Sequence, residues 1–150
     1  MSVAVEVRNP TTNTLVSPTA SSTAVTVATT GNTDALVVVP ADGVLDSADF
    51  TSISALAAHD TNFITFSITN LGTGGAGATA LLAASDANTT KATGGSALTA
   101  NARRQLTLHG TQSNLRVTKG DVLRIRFAAS GTLAGTVLGS LVQVRIDSSR

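Results

Sequence analysis

Residues 115–146 read LRVTKGDVLRIRFAASGTLAGTVLGSLVQVRI, and this stretch decides the fold class of the chain. In Val122–Phe127, residues Leu, Ile and Phe alternate with Val, Arg and Arg, which is the period of an antiparallel strand with one buried face. Leu141–Ile146 repeats the rule, with Val, Val and Ile on its inward face. Lys119-Gly120-Asp121 is a tight-turn signal after Leu115–Val117. The sequence therefore predicts that the chain closes with a β-meander.

Turn signals divide the preceding residues into further short strands, with no convincing helix. Gly31-Asn32 marks one turn, and residues 44–58 fit an irregular strand or loop better than the short helical turn that their spacing also allows. The other predicted strands are residues 22–29, 36–39, 62–69, 80–83 and 104–108. About eight to nine strands separated by turns predict an all-β antiparallel sandwich, with the jelly roll as the favoured topology and a barrel as the alternative.

The N-terminus is predicted to differ from the rest of the chain. Val3, Val5 and Val7 alternate with Ala and Glu as in a strand, which Pro10 ends because proline has no amide donor. Residues 9–20 are rich in Thr, Asn, Ser and Pro and are poorly suited to a central strand. We therefore expect residues 1–20 to form a strand and an extended arm, with a frayed terminus as the alternative. Residues 21–150 are expected to form a single β-sandwich domain.

Composition excludes several functional classes. The 150 residues carry ten basic and nine acidic side chains, and a net charge of +1 provides no large basic field for nucleic acid. The absence of cysteine excludes disulfides, thiolate metal sites and cysteine catalysis. No segment approaches the roughly 18 consecutive apolar residues of a membrane span. The start MSVAVEVRNP lacks the features of a secretory signal, so we expect a soluble protein made in the cytoplasm.

A glycine motif follows the predicted strand at 62–69. Gly72, Gly74 and Gly77 match the spacing G-x-G-x-x-G of dinucleotide-binding loops. That motif has to open a helix in a parallel unit, whereas the alternating strand before it is typical of an antiparallel sheet. The acidic residue expected about 20 positions later is also missing from the run ATGGSAL at residues 92–98. We predict a flexible loop between two strands and no cofactor site.

The histidines do not form a recognisable catalytic or metal-binding pattern. His59-Asp60 and His109 could be imagined with one of the serines as a triad, but no serine lies in a G-x-S-x-G elbow. Two histidines far apart in sequence and scattered aspartates also lack the spacing of a zinc or calcium site. We therefore expect no enzymatic activity and no bound metal.

Two features predict contact with a partner. Leu36–Val39 is apolar at every position, so this strand is either covered on both faces or lies at an interface. Arg124 and Arg126 share one face, and Arg145 would join them if the last two strands were neighbours in one sheet, with Arg103 or Arg104 nearby. Such a face is either ordinary solvated surface or a patch that binds carboxylates. The residues predicted to interact are Val3, Val5, Val7, Leu36, Val37, Val38, Val39, Arg124, Arg126 and Arg145.

A resemblance gives these features a context. The runs VTKGDVLRIRFAASGTLAGTVLGSLVQVRI and TNFITFSITNLGTGGAGATALL resemble small virion proteins of tailed bacteriophages, of the capsid decoration (cement) or head-fibre kind. The shared features are a strand ending in Asn before a Gly-rich loop, the GDVL strand entry, the GT loop and the final V-x-V-x-I strand. Together they cover roughly residues 50–147.

The resemblance implies a structural protein on the exterior of the virion capsid. Its expected partner is the shell of major capsid protein, which it would stabilise, and it is expected to be a homo-oligomer, a trimer or secondly a dimer. Neither nucleic acid nor membrane is an expected partner. The alternative within the same resemblance is a tail or head-fibre domain that attaches to the host surface, which a chain without Trp or Tyr disfavours because sugar sites usually present aromatic platforms.

Overall fold

The computed structural model describes residues 19–21 and 24–147, so the predicted strand at Val3–Val7 lies outside the described residues, as does most of the predicted arm. The described part contains two short 3-10 helices, Asp86–Asn88 and Gln112–Leu115, and no α-helix. Its strands are β1 (Thr19–Ser21), β2 (Val25–Val27), β3 (Gly31–Val38), β4 (Gly43–Thr51), β5 (Phe63–Asn70), β6 (Thr79–Ala80), β7 (Arg103–Gln105), β8 (Arg116–Val117), β9 (Val122–Ser130) and β10 (Val137–Asp147). The all-β prediction is confirmed, and residues 44–58 form strand β4 as far as Thr51 and then loop, in agreement with the preference for a strand or loop over a helical turn.

The strands form two antiparallel sheets. Sheet I has six strands in the order β1-β10-β4-β7, with β2 paired to β10 and β8 paired to β4. Sheet II has four strands in the order β3-β9-β5-β6. Within the described residues, no helix has the length and apolar character needed to cross a membrane.

The predicted β-meander at the end of the chain is wrong. Strand β9 lies in sheet II between β3 and β5, whereas β10 lies in sheet I between β1 and β4. The link between them crosses from one sheet to the other, with Leu133 buried and its N–H bonded to the Thr29 carbonyl at 2.9 Å. Alternation of side chains determines which face of a strand is buried, but it carries no information about which strand lies beside it.

The core lies between the two sheets and contains three phenylalanines. Phe50 of sheet I has its ring centroid 5.0 Å from that of Phe66 and 5.4 Å from that of Phe127, both in sheet II. Aliphatic side chains surround the rings, and the inward residues predicted for three strands are buried: Leu123, Ile125, Phe127, Ile64, Phe66, Ile68, Val144 and Ile146. The predictions that Val142 faces inward and that Leu141 faces outward lie outside the described side chains. The two sheets therefore pack as a sandwich around one core.

Gly43 is required where β4 begins beside the end of β10. A Cβ at this position would meet the Asp147 carbonyl oxygen and would lie 2.7 Å from Ile146 Cγ2. We expect Gly43→Ala to lower the free energy of unfolding by about 1–3 kcal/mol, because the paired strands have to shift. Equilibrium unfolding in urea measures the change. Gly74→Ala is the matched control, since nothing lies within 4 Å of its Cβ; equal losses in the two variants would contradict the close approach at Gly43.

Candidate interaction surface

The apolar run predicted for an interface has two different faces. Val37 and Val39 belong to the core, whereas Leu36 and Val38 are 64% and 63% exposed. β3 is the first strand of sheet II, and it begins at Gly31, where the sequence predicted a turn. The run is therefore not covered on both faces, and the interface alternative remains a prediction.

Sheet pairing places the two exposed apolar residues beside the predicted arginines. In the β3–β9 register, Leu36 lies opposite Arg124 and Val38 lies opposite Val122. Two residues further along, Asp34 lies opposite Arg126. We call this set the sheet II face: Asp34, Leu36, Val38, Val122, Arg124 and Arg126. Leu36 and Arg124 are 88 positions apart in the sequence, and strand pairing makes them neighbours on one surface.

Arg126 and Asp34 form a two-point ion pair on the sheet II face. Arg126 Nε and Nη2 each donate to one carboxylate oxygen of Asp34 at 2.7 Å. Hydrogen bonding from Arg126 lowers the pKa of the Asp34 carboxyl, and the charge of Arg124 lowers it further. The same bond raises the pKa of Arg126. Arg126 therefore has a partner within the chain and offers less to a second molecule than its exposure indicates.

Arg124 differs from Arg126 in its bonding. Its Nε is buried and has no hydrogen-bond partner among the described residues. A buried donor without a partner is costly, and Arg is suited to binding a carboxylate through two parallel bonds. Asp34, whose pKa the charge of Arg124 lowers, is already bonded to Arg126. Of the predicted basic residues, Arg124 is the one that provides an unused donor beside exposed apolar surface.

Replacing Arg126 with glutamine is expected to raise the pKa of Asp34, because the hydrogen bonds that favour the charged carboxylate are lost. In the parent chain the pKa of Asp34 is lower when folded than when unfolded, so the pair stabilises the fold above the unfolded value of about 4, and this contribution disappears as the pH falls through the folded value. NMR titration of the Asp34 carboxyl measures its pKa in the folded parent chain and in the folded R126Q variant. Identical titration of Asp34 in the parent and R126Q chains would contradict the pairing.

Arg145 does not join the sheet II face. Because β10 lies in sheet I, the condition for grouping Arg145 with Arg124 is not met. Its Nη2 instead lies 2.8 Å from Oδ2 of Asp46 in β4. Arg103 also belongs to sheet I and pairs with Asp49, with Nε and Oδ1 3.5 Å apart. Sheet I therefore presents a separate set of charges, in which the contact of Asp49 Oδ1 with Arg103 is an ion pair without a hydrogen bond.

Arg104 has a structural role that the sequence did not predict. It is half-buried, its guanidinium lies 5.0 Å from the Phe66 ring, and it donates to the carbonyls of Ala87 and Ser96 at 2.9 and 2.8 Å. Burial lowers its pKa. The run Arg103–Gln105 gave no signal for this role, because the loop that Arg104 anchors lies 8–17 residues away in sequence.

A groove of about 390 Å³ lies between β5 and the loop before Lys91. Lys91, Asp86 and Asn88 of its lining have partners within the chain. Lys91 pairs with Asp86 at 3.0 Å and lies over the Phe63 ring, while the Asn88 amide donates to the Ala83 and Thr107 carbonyls, each at 2.8 Å. These contacts stabilise the loop beside the groove.

The glycine motif and the histidines occupy turns. Gly72, Gly74 and Gly77 lie in the loop that joins antiparallel β5 and β6, so the predicted loop between strands is confirmed. His59 Nδ1 accepts the Thr61 N–H and His109 Nδ1 accepts the Thr111 N–H, each at 3.1 Å. In residues 19–21 and 24–147, no group of three or more His, Asp or Glu side chains could hold a metal ion.

No protein-family model matches this chain, and searches of curated proteins and of solved structures found no match.

Proposed function

We propose that this chain is a structural virion protein that binds the outside of an assembled bacteriophage head and stabilises it. The observation that carries the proposal, beside the resemblance of residues 50–147, is the sheet II face. There, exposed Leu36 and Val38 adjoin Arg124, which has an unused buried donor. Apolar side chains with an arginine among them are typical of protein interfaces. The role requires no catalytic group and no cofactor.

We infer further that the sandwich is a jelly roll. In support, the strands pair as nested antiparallel pairs: β5 with β6, β4 with β7 and β8, β3 with β9, and β1 and β2 with β10. This nesting results when one long hairpin is wrapped into two facing sheets, as in the jelly rolls of viral capsid proteins. The likeness is one of architecture and carries no function by itself.

The proposed partner is the shell of major capsid protein, and the mechanism is binding linkage. A protein that binds the expanded lattice and not the unexpanded one stabilises the expanded lattice by its binding free energy. At a free concentration 100 times Kd, this amounts to about 2.7 kcal/mol for each bound copy. We propose a closed homo-oligomer, a trimer or secondly a dimer, because contacts from several copies to neighbouring capsomers raise the overall affinity.

Co-sedimentation tests the proposal. The purified chain, with its mass in solution determined by light scattering, is mixed with expanded and with unexpanded heads of the phage that encodes it. We expect saturable binding to expanded heads, with a copy number that matches one class of symmetry positions. Absence of binding to both kinds of head would overturn the proposal and favour the alternative, a tail or head-fibre domain that attaches to the host surface.

A further inference from the structure

Strand β3 has a free edge in the described part of the chain. Sheet II begins with β3, and β9 pairs along its other edge over all eight residues. The Val39 N–H donates to the Asp121 carbonyl at 2.8 Å, so odd-numbered residues bond toward β9. By alternation, the N–H and C=O groups of Asp34, Leu36 and Val38 are directed away from β9, where no described strand pairs with them.

The devices that usually protect such an edge are absent from β3. A long edge strand normally carries lysine, proline or a bulge, which prevents pairing with another chain. Residues 31–38 read GNTDALVV, with neither lysine nor proline, and their register with β9 is continuous. The one charged residue, Asp34, is paired with Arg126 of the same sheet, and Leu36 and Val38 are exposed. This edge therefore has the features of a strand that pairs with another chain.

We propose that the β3 edges of two copies of this chain pair with each other in antiparallel orientation, around a two-fold axis at Leu36. The two four-stranded sheets II then form one continuous sheet. The inference goes beyond the proposed function and does not depend on it, because it concerns the free protein and requires no phage head. Of the two closed oligomers considered above, it selects the dimer.

The lengths of the strands favour a second copy as the partner. The other strands at the ends of the described sheets, β1, β2, β6, β7 and β8, have two or three residues each, whereas β3 has eight. Among the described strands, β3 therefore finds an equal partner only in the β3 edge of another copy. Antiparallel pairing of two identical edges is isologous, so each N–H of one copy meets a C=O of the other. Since each copy has one such edge among these strands, the assembly closes at two.

The side chains of the edge favour an axis at Leu36. In this register the two leucines lie directly opposite each other, and Val38 of each copy lies opposite Asp34 of the other. All the free N–H and C=O groups of residues 34–38 then have partners. The two Asp34 carboxylates are four residues apart along the strands, which is about 13 Å. Apolar side chains therefore meet at the axis and like charges are kept apart.

The neighbouring registers are less favourable. An axis at Asp34 would place two carboxylates directly opposite each other, which is destabilising. An axis at Ala35 would leave the same carboxylates only two residues apart along the strands, about 7 Å. An axis at Val37 would set Asp34 opposite Pro40, which has no N–H to donate. The axis at Leu36 avoids all three defects.

The pairing is compatible with the use of the sheet II face for another contact. It involves backbone groups in the plane of the sheet and leaves the donors of Arg124 unused. The side chains of Leu36 and Val38 from both copies would adjoin one another on the sheet II face. The dimer would therefore present two sheet II faces as one surface with an apolar centre.

A single cysteine tests the register. The chain contains no cysteine, so Leu36→Cys introduces one thiol in each copy. Residues directly opposite in a hydrogen-bonded antiparallel pair have Cα atoms about 5.5 Å apart, within disulfide range. We expect L36C to oxidise to a disulfide-linked dimer at least about tenfold faster than Ile53→Cys, because pairing holds its thiols together. Ile53 is the matched control, since it is 62% exposed and Leu36 is 64% exposed.

Light scattering tests the pairing without thiols. We expect the parent chain to have twice the mass of one chain, 15.0 kDa, and Leu36→Lys to have the mass of one chain, because lysine on an edge strand opposes pairing. Ile53→Lys adds the same charge away from β3 and should remain a dimer. Hydrogen exchange shows that L36K is folded: the Val37 amide, which bonds toward β9, should stay protected, while the Val38 amide should exchange about tenfold faster or more.

Three outcomes would overturn the proposal. The first is a parent mass of one chain, which would leave the edge for a strand of another protein, or of three chains. The second is equal oxidation of L36C and I53C, and the third is a dimer of L36K in which the Val38 amide keeps its protection. These measurements use the free protein, so their failure would leave the proposed function standing. Absence of binding to phage heads would in turn leave the dimer standing.

Discussion

Replacing Phe127 with alanine is expected to lower the free energy of unfolding by about 3–5 kcal/mol. The Phe127 ring is fully buried, and its centroid lies 5.4 Å from that of Phe50 and 5.9 Å from that of Phe66. Truncation leaves a cavity between the two sheets, so the surrounding side chains lose contacts on one side. Phe127 is one of three aromatic side chains in the described core. After its truncation, the surrounding side chains that could move into the cavity are mainly aliphatic.

Phe63→Ala is the matched control for this prediction. Phe63 is half-buried at the groove beside β5, where Lys91 lies 5.1 Å from its ring centroid. Its truncation removes the same atoms but opens no cavity inside the sandwich, so we expect less than half the loss of Phe127→Ala. Equilibrium unfolding in urea compares the two variants. Equal losses would mean that the sheets are not held together through the phenylalanine cluster.

The double substitution Leu36→Asp and Val38→Asp is expected to weaken binding to expanded heads by about 100-fold or more. Each apolar side chain at the centre of an interface contributes on the order of 1–2 kcal/mol, and each tenfold change in Kd corresponds to about 1.4 kcal/mol. The new carboxylates would also have to be desolvated in the contact. Both side chains point to solvent in the free chain, so its stability should change little.

A second exposed apolar pair provides the control for this prediction. Ile53 and Leu138 are 62% and 49% exposed, and they are neighbours beside sheet I, where the Ile53 N–H bonds to the Leu138 carbonyl. Ile53→Asp with Leu138→Asp adds the same charge away from the sheet II face. Co-sedimentation at several protein concentrations gives Kd for both variants. If the sheet I variant loses binding and the sheet II variant retains it, the contact surface has been assigned to the wrong sheet.

The strands with regular alternation could be predicted from the sequence because their pattern depends on burial of one face. Ile64, Phe66 and Ile68 are buried in β5, and Leu123, Ile125 and Phe127 are buried in β9, as the period of two indicates. The neighbours of each strand could not be predicted in this way. Residues 131–136 join two strands that read as a hairpin, yet they cross between the sheets, because the same glycines and threonines suit both kinds of connection.

The same limit explains how much of the interaction surface could be predicted. Leu36 and Val38 were predicted to lie at an interface because an apolar run does not fit ordinary alternation, and their side chains are exposed. Arg124 and Arg126 share the outer face of β9 as expected, since they lie within one strand. Grouping them with Arg145 needed the order of strands, which local patterns do not contain. The pairing of Arg126 with Asp34 depends on the same order.

The measurement that tests the central claim most directly is the heat stability of expanded heads with and without this chain. Light scattering or calorimetry records the temperature at which the heads dissociate. We predict that this temperature rises with the concentration of the chain until the binding sites are saturated, and that the Leu36→Asp, Val38→Asp variant at equal concentration produces no rise. An unchanged dissociation temperature at concentrations that saturate binding would contradict the claim that the chain stabilises the shell.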